Sequence, residues 1–322
     1  MQKYRVNIIK TITFFVLLGI TINSNAQQDY YFSHYMYGDN AYNPAAAGSH
    51  DMVSLTGIFR NQWTGFEGAP ENAYFNGNLP FRLFNQEHGA GLTIRRETAG
   101  FENKLGMNAA YAYKFSLDKG KLGVGFNLGF NNNSIKGEWK VPSNPDGGFA
   151  DPSGDPALPQ SEETATAFDL GFGLFYKTND LYIGLSSLHL NQGHYKYLQA
   201  ESKMVRHYFL TSGYKISLKD MPIDILPSFI IASDGAATQV VLSTLLEYNS
   251  KISGGLAFRY GSAVIAMIGF ELFKDVNVGY SYDYEITKIR KYQGGSHEIV
   301  LRYNFDISAE KIPEKYRSIR FL

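Results

Sequence analysis

Long segments in which apolar and polar side chains alternate are the feature that most constrains the fold of this chain. In the segment 276–285 the even positions are Val or Tyr, whereas the odd positions are Asn, Gly, Ser, Asp and Glu. The same alternation occurs in the segments 105–114, 122–131, 168–177, 252–260 and 297–305. Successive side chains of a β-strand point to opposite faces of the sheet. Each segment therefore predicts a strand that separates an apolar environment from a polar one.

Three properties of these segments favour a membrane-spanning β-barrel over a soluble β-sandwich. They are longer than the usual strand of about five or six residues, and about ten residues suffice to cross a bilayer at a tilt. Tyr residues crowd the ends of the apolar faces, as in the aromatic girdles of membrane barrels. The opposite face is rich in Gly, Asn, Ser and charged residues, which suits a crowded and wet lumen.

The alternation predicts an all-β fold, a transmembrane outer-membrane antiparallel β-barrel of about 14 strands. The predicted strands are 52–60, 71–79, 88–97, 103–115, 120–133, 165–177, 180–189, 203–217, 223–234, 237–248, 251–260, 263–273, 275–285 and 297–306. An even number of strands is what a closed barrel requires when both chain termini lie on the periplasmic side. Long connections are expected on the outer side at 134–164, 190–202 and 286–296, although the short connection Gly261-Ser262 departs from this trend.

The composition argues against several other classes of protein. The chain has no Cys, so disulfides do not stabilise it. Its formal net charge is zero, which gives no basic surface for nucleic acid. The mean hydropathy is −0.23, which argues against a helical membrane protein. Because the chain has no long apolar run, its apolar residues must occupy alternate positions along strands.

The N-terminus predicts a secretory signal peptide over residues 1–26. Lys3, Arg5 and Lys10 form a positive region, an apolar stretch follows at 12–22, and Ala26 ends a run of small and polar residues. The apolar stretch is about eleven residues long, short of the roughly 20 residues of a transmembrane helix. We therefore expect export and cleavage after Ala26.

The remaining chain divides into three predicted parts. Residues 27–51 are Tyr-rich and are expected to plug the barrel or cap its periplasmic end, because a barrel of fourteen strands has a lumen too wide for side chains alone to fill. Residues 52–306 form the barrel. Residues 307–322 form a periplasmic C-terminal tail with four basic residues, which would dock a partner or fold back on the barrel mouth.

No catalytic motif is present, and an enzyme is not expected. The sequence has no Gly-x-Ser-x-Gly, no His-Glu-x-x-His and no phosphate-binding loop. His297 and Glu298 are adjacent in sequence, and alternation therefore places them on opposite faces. No cofactor is predicted, apart from an open alternative in which the acidic, Gly-rich loop 144–163 holds Ca²⁺.

Charged residues on the polar face are predicted to point into the lumen. Two interpretations stay open: a paired structural network that holds the plug, which we favour, or an unpaired selectivity lining. The residues concerned are Arg60, Arg95, Lys114, Arg259, Glu271, Asp283, Glu285, Glu298 and Arg302.

Several stretches of the mature chain resemble the PorP/SprF family of Bacteroidota. They are Phe32-Ser33-His34-Tyr35-Met36-Tyr37 with Asn43-Pro44-Ala45-Ala46-Ala47-Gly48, Phe59-Arg60-Asn61-Gln62-Trp63 with Gly65-Phe66-Glu67-Gly68-Ala69-Pro70, Tyr280-Ser281-Tyr282-Asp283, Gly295-Ser296-His297-Glu298-Ile299 and Arg317-Ser318-Ile319-Arg320-Phe321. The resemblance implies a non-enzymatic outer-membrane barrel of the type IX secretion system. Its implied partners are outer-membrane lipid, a large secreted or cell-surface protein such as a gliding adhesin, and other components of the secretion machine.

The resemblance also implies a set of partner-binding or structural signature residues. Trp63 and Phe66 would pack into the barrel mouth as a structural corner, or they would form part of a partner surface. The full set is Arg60, Asn61, Gln62, Trp63, Phe66, Pro70, His297, Glu298 and Arg302. Two further functions stay open: a general porin or small-solute channel, and a structural barrel that bridges the outer membrane and periplasmic assemblies.

Overall fold

The computed structural model describes residues 31–50, 52–137, 141–142, 149–150, 159, 161–198 and 200–306. The predicted signal peptide, the tail 307–322 and most of the candidate Ca²⁺ loop 144–163 lie outside the described residues. The predictions made for those segments therefore stay predictions.

Fourteen antiparallel strands form a closed barrel, as the alternation predicted. The strands are β1 (Val53–Asn61), β2 (Glu71–Leu83), β3 (Gln86–Ala99), β4 (Glu102–Ser116), β5 (Lys121–Ile135), β6 (Glu163–Lys177), β7 (Leu181–Leu188), β8 (His207–Tyr214), β9 (Ile223–Ser233), β10 (Thr238–Tyr248), β11 (Ile252–Arg259), β12 (Ala263–Phe273), β13 (Val276–Glu285) and β14 (Ser296–Phe305). Each strand pairs with its neighbours in sequence, and β14 returns to pair with β1, with Val53 opposite Phe305. Closure satisfies the main-chain groups that a bilayer cannot hydrogen-bond.

The alternation of the sequence separates the two faces of the barrel wall. Phe126, Phe172 and Leu256 are exposed on the outer face, whereas Asn127 and Asp283 are buried on the inner face. Exposed Tyr residues lie at both ends of the outer face. Those at the end with the longer connections are Tyr208, Tyr260 and Tyr284, and those at the end with the short turns are Tyr214, Tyr248 and Tyr303. This is the arrangement of two aromatic girdles.

The longer connections of the barrel lie on one side, as predicted. Some strand bounds differ from the prediction. Residues 62–70, 136–162, 189–206 and 286–295 form the longer connections on one side, which also carries shorter ones at 100–101, 234–237 and 260–262. The predicted strand 203–217 is wrong at its start, because Glu201–Lys203 pairs with His194–Lys196 in a separate hairpin. At its other end, Ile216–Ser217 pairs with β9 beyond the break at Lys215.

The described helical elements are short. They are the 3₁₀ turns Tyr35–Tyr37 and Pro44–Ala46, the helix Asp39–Tyr42 and the 3₁₀ helix Lys288–Tyr292. No helix within the described part of the chain is long and apolar enough to cross a membrane. The first three lie in residues 31–50, which we call the luminal segment because its side chains pack against the inner face of the wall.

A charge placed on the middle of the outer face tests the assignment of this face to lipid. We expect Phe172→Arg to lower the free energy of unfolding by about 2–4 kcal/mol, because Phe172 lies near the middle of β6. Thr166→Arg, on the same face but close to the end of that strand, is the control and is expected to cost about 0–1 kcal/mol. Urea titration of the protein refolded into lipid vesicles measures both. Equal losses for the two variants would contradict a lipid-facing surface.

Candidate functional site

The luminal segment begins in the half of the barrel nearest the longer connections. The backbone amides of Ser33 and His34 donate to the Glu298 carboxylate at 2.8 and 2.7 Å, and His34 Nδ1 lies 2.9 Å from Glu298 Oε1. Further on, the Tyr35 hydroxyl is hydrogen-bonded to Ser228 Oγ at 2.7 Å and Ser243 Oγ at 2.8 Å. The segment thus joins β14 to β9 and β10 across the lumen.

The second half of the luminal segment is built by the sequence Asn43-Pro44-Ala45-Ala46-Ala47-Gly48. Asn43 caps the turn Pro44–Ala46, because its Oδ1 accepts a hydrogen bond from the Ala45 amide at 2.9 Å. Pro44 occupies the first position of the turn, where its missing N–H is not needed. Asn43 Nδ2 also donates to the carbonyl of Leu174 in β6 at 2.9 Å. One side chain therefore both shapes the segment and attaches it to the wall.

Glycines on the inner face let the main chain of the luminal segment approach the wall closely. A Cβ at Gly89 would overlap the Ala47 carbonyl, and a Cβ at Gly125 would lie 2.5 Å from Ala45 Cα. The segment is consequently well packed, with Ala45, Ala46 and Ala47 at most 1% exposed. Gly48, which has a φ of +62°, donates its amide to Asn78 Oδ1 as the chain leaves this contact.

An ionic network buried in the lumen holds the first half of the segment. Arg60 in β1 lies 2.7 Å from Asp283 in β13 and 3.3 Å from Glu298 in β14, and it donates to Ser33 Oγ at 2.9 Å. Arg259 in β11 lies 3.0 Å from Asp283, whose other oxygen accepts from Ser33 Oγ at 2.7 Å. The network thus joins four strands of the wall to the luminal segment.

Burial makes the pairing within this network necessary. Asp283 and Glu298 are 0% exposed, and Arg60 is 1% exposed. An unpaired charge at such a depth is strongly unfavourable, whereas paired and hydrogen-bonded charges offset much of the desolvation cost. This arrangement matches the interpretation in which inward charges hold a plug. Arg60 and Glu298 also lie directly opposite each other in the register of β1 and β14.

The end of the luminal segment carries a histidine that is uncharged at neutral pH. Burial lowers the pKa of His50 to about 4, and the positive charge of Arg302 acts in the same direction. His50 Nε2 lies 3.3 Å from Asp39 Oδ2. Because the ring is neutral, this contact is a hydrogen bond within the segment rather than an ion pair.

A second buried cluster lies in the wall between β3 and β7. Asp169 accepts from His189 Nδ1 at 2.8 Å and from Asn131 at 3.1 Å, and it lies 3.6 Å from Arg95. All of these partners come from the wall or its connections. Within the described part of the chain, no group of three or more His, Asp or Glu residues is placed to hold a metal ion.

The connections 62–70 and 286–295 pack on each other and form what we call the rim. The Thr64 amide donates to the Gly295 carbonyl at 2.8 Å, and the Gly294 amide donates to the Thr64 carbonyl at 2.7 Å. The loop 62–70 is closed by the Gln62 amide, which donates to the Pro70 carbonyl at 2.9 Å. Main-chain bonds of this kind fix the loop without a regular strand.

Trp63 ties the rim to the strands that carry the buried network. Its φ of +52° lies in the left-handed region, which costs of order 1–3 kcal/mol for a residue with a side chain. Its amide donates to Ser296 Oγ at 3.1 Å, and its indole Nε1 donates to Glu285 Oε1 at 3.3 Å. Phe66, in the same loop, is 45% exposed, so of the two interpretations of this residue the exposure favours the partner surface.

The predicted signature residues separate into three places. Arg60 and Glu298 belong to the buried network, and residues 61–70 form the rim and its base. Arg302 lies in the lumen nearer the end with the short turns, with its guanidinium carbon 5.8 Å from the centre of the Tyr37 ring. His297 lies on the opposite face from Glu298 and is hydrogen-bonded to the Tyr280 hydroxyl at 2.6 Å.

Sequence reasoning missed several residues that position the luminal segment. These are the wall residues Asn78, Gly89, Gly125, Ser228 and Ser243. Their small or polar character on the inward face was visible in the alternation. Which of them meets the segment could not be read from it, because these contacts join parts of the chain that are far apart in sequence.

A closed antiparallel barrel with an apolar outer face, a polar inner face and tyrosines at both ends of the strands defines an outer-membrane β-barrel protein. Residues 24–303 match the model of the family described as type IX secretion system membrane protein PorP/SprF. The chain therefore belongs to this family, and the resemblance noted in the sequence is confirmed. Its location is the outer membrane, and its family and fold are of a secretion-associated membrane protein type.

Several solved outer-membrane proteins are similar to the chain at low sequence identity. The Acinetobacter baumannii outer-membrane protein Omp33 is 7% identical, with a TM-score of 0.46, over 79% of this chain and 98% of that one. The Ralstonia pickettii toluene transporter TbuX is 12% identical, with a TM-score of 0.47, over 82% and 92%. A Pseudomonas aeruginosa FadL homologue is 13% identical, with a TM-score of 0.44, over the same shares. No curated protein matches the chain.

A methyl group added at Gly89 tests the close contact between wall and segment. We expect Gly89→Ala to lower the free energy of unfolding by about 1–3 kcal/mol, because its Cβ overlaps the Ala47 carbonyl. Gly57→Ala is the matched control, because a Cβ there meets nothing within 4 Å. Urea titration, together with limited proteolysis at the segment, measures both. Identical behaviour of the two variants would show that the segment does not press against the wall.

Removing one member of the buried network tests its role. We expect Arg60→Ala to cost about 3–5 kcal/mol, because the buried Glu298 would lose its arginine and Asp283 would keep only Arg259. Arg82→Ala removes an arginine whose side chain is 77% exposed and is expected to cost less than about 1 kcal/mol. Thermal unfolding in detergent compares them. A loss for Arg60→Ala no larger than for Arg82→Ala would contradict the network.

Proposed function

We propose that this protein is a non-enzymatic outer-membrane component of the type IX secretion system. It supports the export or surface attachment of a secreted, gliding adhesin-like protein, or it links to the periplasmic ring of the machine. The observation that supports this proposal most is the occupied lumen. The luminal segment packs against the inner wall from Ser33, in the buried network, to Gly48. A barrel whose lumen holds a segment of its own chain presents its two ends to partners.

The rim offers a surface for a protein partner on the outer side. Phe66 is 45% exposed and Tyr292 is 71% exposed, and both lie in the rim. Aromatic side chains are enriched where proteins bind one another. Because Trp63 fixes the rim to β13 and β14, such a surface is pre-ordered before a partner arrives.

A general porin or small-solute channel is the less favoured alternative. A selectivity lining requires charges that face water along an open path. Here Arg60, Arg259, Asp283 and Glu298 contact one another and the luminal segment, and all four are at most 6% exposed. These charges therefore support a structural role.

Comparison of the surface proteome and the secretome of a strain without the gene tests the proposal. We expect either the loss of one large cell-surface protein, which indicates a dedicated partner, or the joint loss of many secreted proteins, which indicates a core component. The second strain to examine carries Phe66→Asp with Tyr292→Asp, which should reproduce the first phenotype if the rim binds the partner. Phe84→Asp, at a short turn and 88% exposed, is its control.

One outcome would reject the proposal in favour of the channel. That outcome is an unchanged surface proteome and secretome in the deletion strain, together with reduced uptake of a small solute. The level of the folded rim variant in the outer membrane is measured by the heat-dependent shift of its electrophoretic mobility. A normal level shows that loss of the surface protein results from the altered rim and not from failed assembly of the barrel.

A further inference from the structure

The connection 286–295, which forms part of the rim, carries an unbalanced positive charge. It contains Lys288, Arg290 and Lys291 and no acidic residue. All three basic side chains are exposed, and none makes an ion pair with any residue that the structure describes. Glu285, directly before the connection, is 3% exposed and has its two oxygens hydrogen-bonded to other side chains. The three positive charges therefore remain available to an anion.

Arg290 is held over the outer face of the barrel wall. Its guanidinium carbon lies 5.6 Å from the centre of the Tyr284 ring, and its Nη1 donates to the Tyr284 hydroxyl at 2.9 Å. Tyr284 belongs to the aromatic girdle at the end with the longer connections, so this charge lies at the level of the lipid headgroups. The guanidinium makes no other hydrogen bond within the described part of the chain, which leaves donors of its fork for a ligand.

Lys288 and Lys291 lie on one side of the short helix Lys288–Tyr292. Residues three apart are aligned in a 3₁₀ helix, and these two lysines are its first and fourth residues. Like charges at this spacing repel each other, and an anion bound between them offsets that repulsion. We call Lys288, Arg290 and Lys291 the basic patch.

Tyrosine rings continue the surface from the basic patch along the outer face of β13. The Tyr280 hydroxyl is hydrogen-bonded to His297 Nδ1 at 2.6 Å, and the Tyr282 hydroxyl donates to the Gly294 carbonyl at 3.0 Å. The Tyr284 hydroxyl accepts from the patch itself. Because each hydroxyl has a partner within the protein, the three rings are held in place before a ligand binds.

Apolar side chains extend this surface towards the middle of the wall. Ile268 in β12 and Ile299 in β14 lie opposite Tyr280 in the two neighbouring strands. They are 56% and 52% exposed on the lipid-facing side. The surface is therefore charged at the level of the headgroups, aromatic below them and apolar where acyl chains lie. This order matches the order of groups along a lipid molecule.

We propose that the basic patch binds the phosphate groups of a phosphorylated glycolipid in the outer leaflet of the outer membrane. The patch is continuous with the lipid-facing wall, so headgroups of that leaflet are its immediate neighbours. Phosphate suits the guanidinium of Arg290, which can bind it through two parallel hydrogen bonds. The tyrosine rings would contact the sugars of the lipid. The proposal goes beyond the proposed function, because it concerns the lipid around the barrel and no secreted or periplasmic protein.

Native mass spectrometry of the purified protein in dodecyl maltoside micelles tests the site, with diphosphoryl lipid A as the probe. We expect one molecule of lipid A to bind more tightly than any further molecule. The variant Lys288→Gln with Arg290→Gln and Lys291→Gln should weaken this binding by more than about tenfold, because it removes the charges that attract the phosphates.

Two controls separate the basic patch from general attraction to the protein. Lys119→Gln with Lys219→Gln and Lys274→Gln makes the same change in net charge on exposed residues of the short turns, at the other end of the barrel. It should change the affinity by less than about twofold. Lipid A without its phosphates is the second control, and it should bind the unaltered protein about tenfold more weakly than the diphosphoryl form.

Four results would overturn the lipid site. They are equal losses in the two triple variants, equal binding of lipid A with and without phosphates, displacement by equimolar inorganic phosphate, which would indicate a site for a free anion, and displacement by an equimolar decaglutamate peptide, which would indicate an acidic protein segment. The comparison of the two lipids uses the unaltered protein, so it tests the site even if a variant does not fold. None of these measurements involves secretion, so the lipid site and the proposed function can fail separately.

Discussion

The pairing of Arg60 with Asp283 and Glu298 is the interaction on which the rest of the structure depends. It lies where β1 meets β14, so it reinforces the closure of the barrel. The same two carboxylates receive the side chain of Ser33 and the amides of Ser33 and His34, so closure and filling of the lumen use one set of charges. Buried carboxylates need several partners, and these two take theirs from both the wall and the luminal segment.

Much of the fold could be predicted from the sequence because a barrel wall imposes a period of two on every strand. The strand β13 shows why: its Tyr residues face outward while Ser281 and Asp283 are buried on the inside. Bounds were less accurate where the pattern is interrupted, as at Lys203, which belongs to a hairpin rather than to β8. Alternation reports which face a residue occupies, but not where a ladder of hydrogen bonds stops.

The candidate site was only partly predictable, for a related physical reason. Inward charges such as Arg60 and Glu298 could be placed in the lumen from alternation, and their mutual pairing was the favoured interpretation. The close contact of Ala47 with Gly89 could not be predicted in this way. A glycine in a strand indicates that another group approaches closely, but it does not identify that group. The exposure of Phe66 was likewise beyond the pattern, since irregular loops carry no period.

The position of the luminal segment in the chain has a consequence for biogenesis. The segment precedes the first strand, yet the Ser33 amide bonds to a carboxylate 265 residues later, in the last strand. Contacts of such sequence separation form late, because closing the intervening loop is entropically costly. Ser33 and His34 can therefore make these bonds only once the final hairpin is in place, whereas the second half of the segment has its partners in earlier strands. Closure of the barrel and docking of Ser33 and His34 depend on the same strand, and a truncated chain lacking β14 would complete neither.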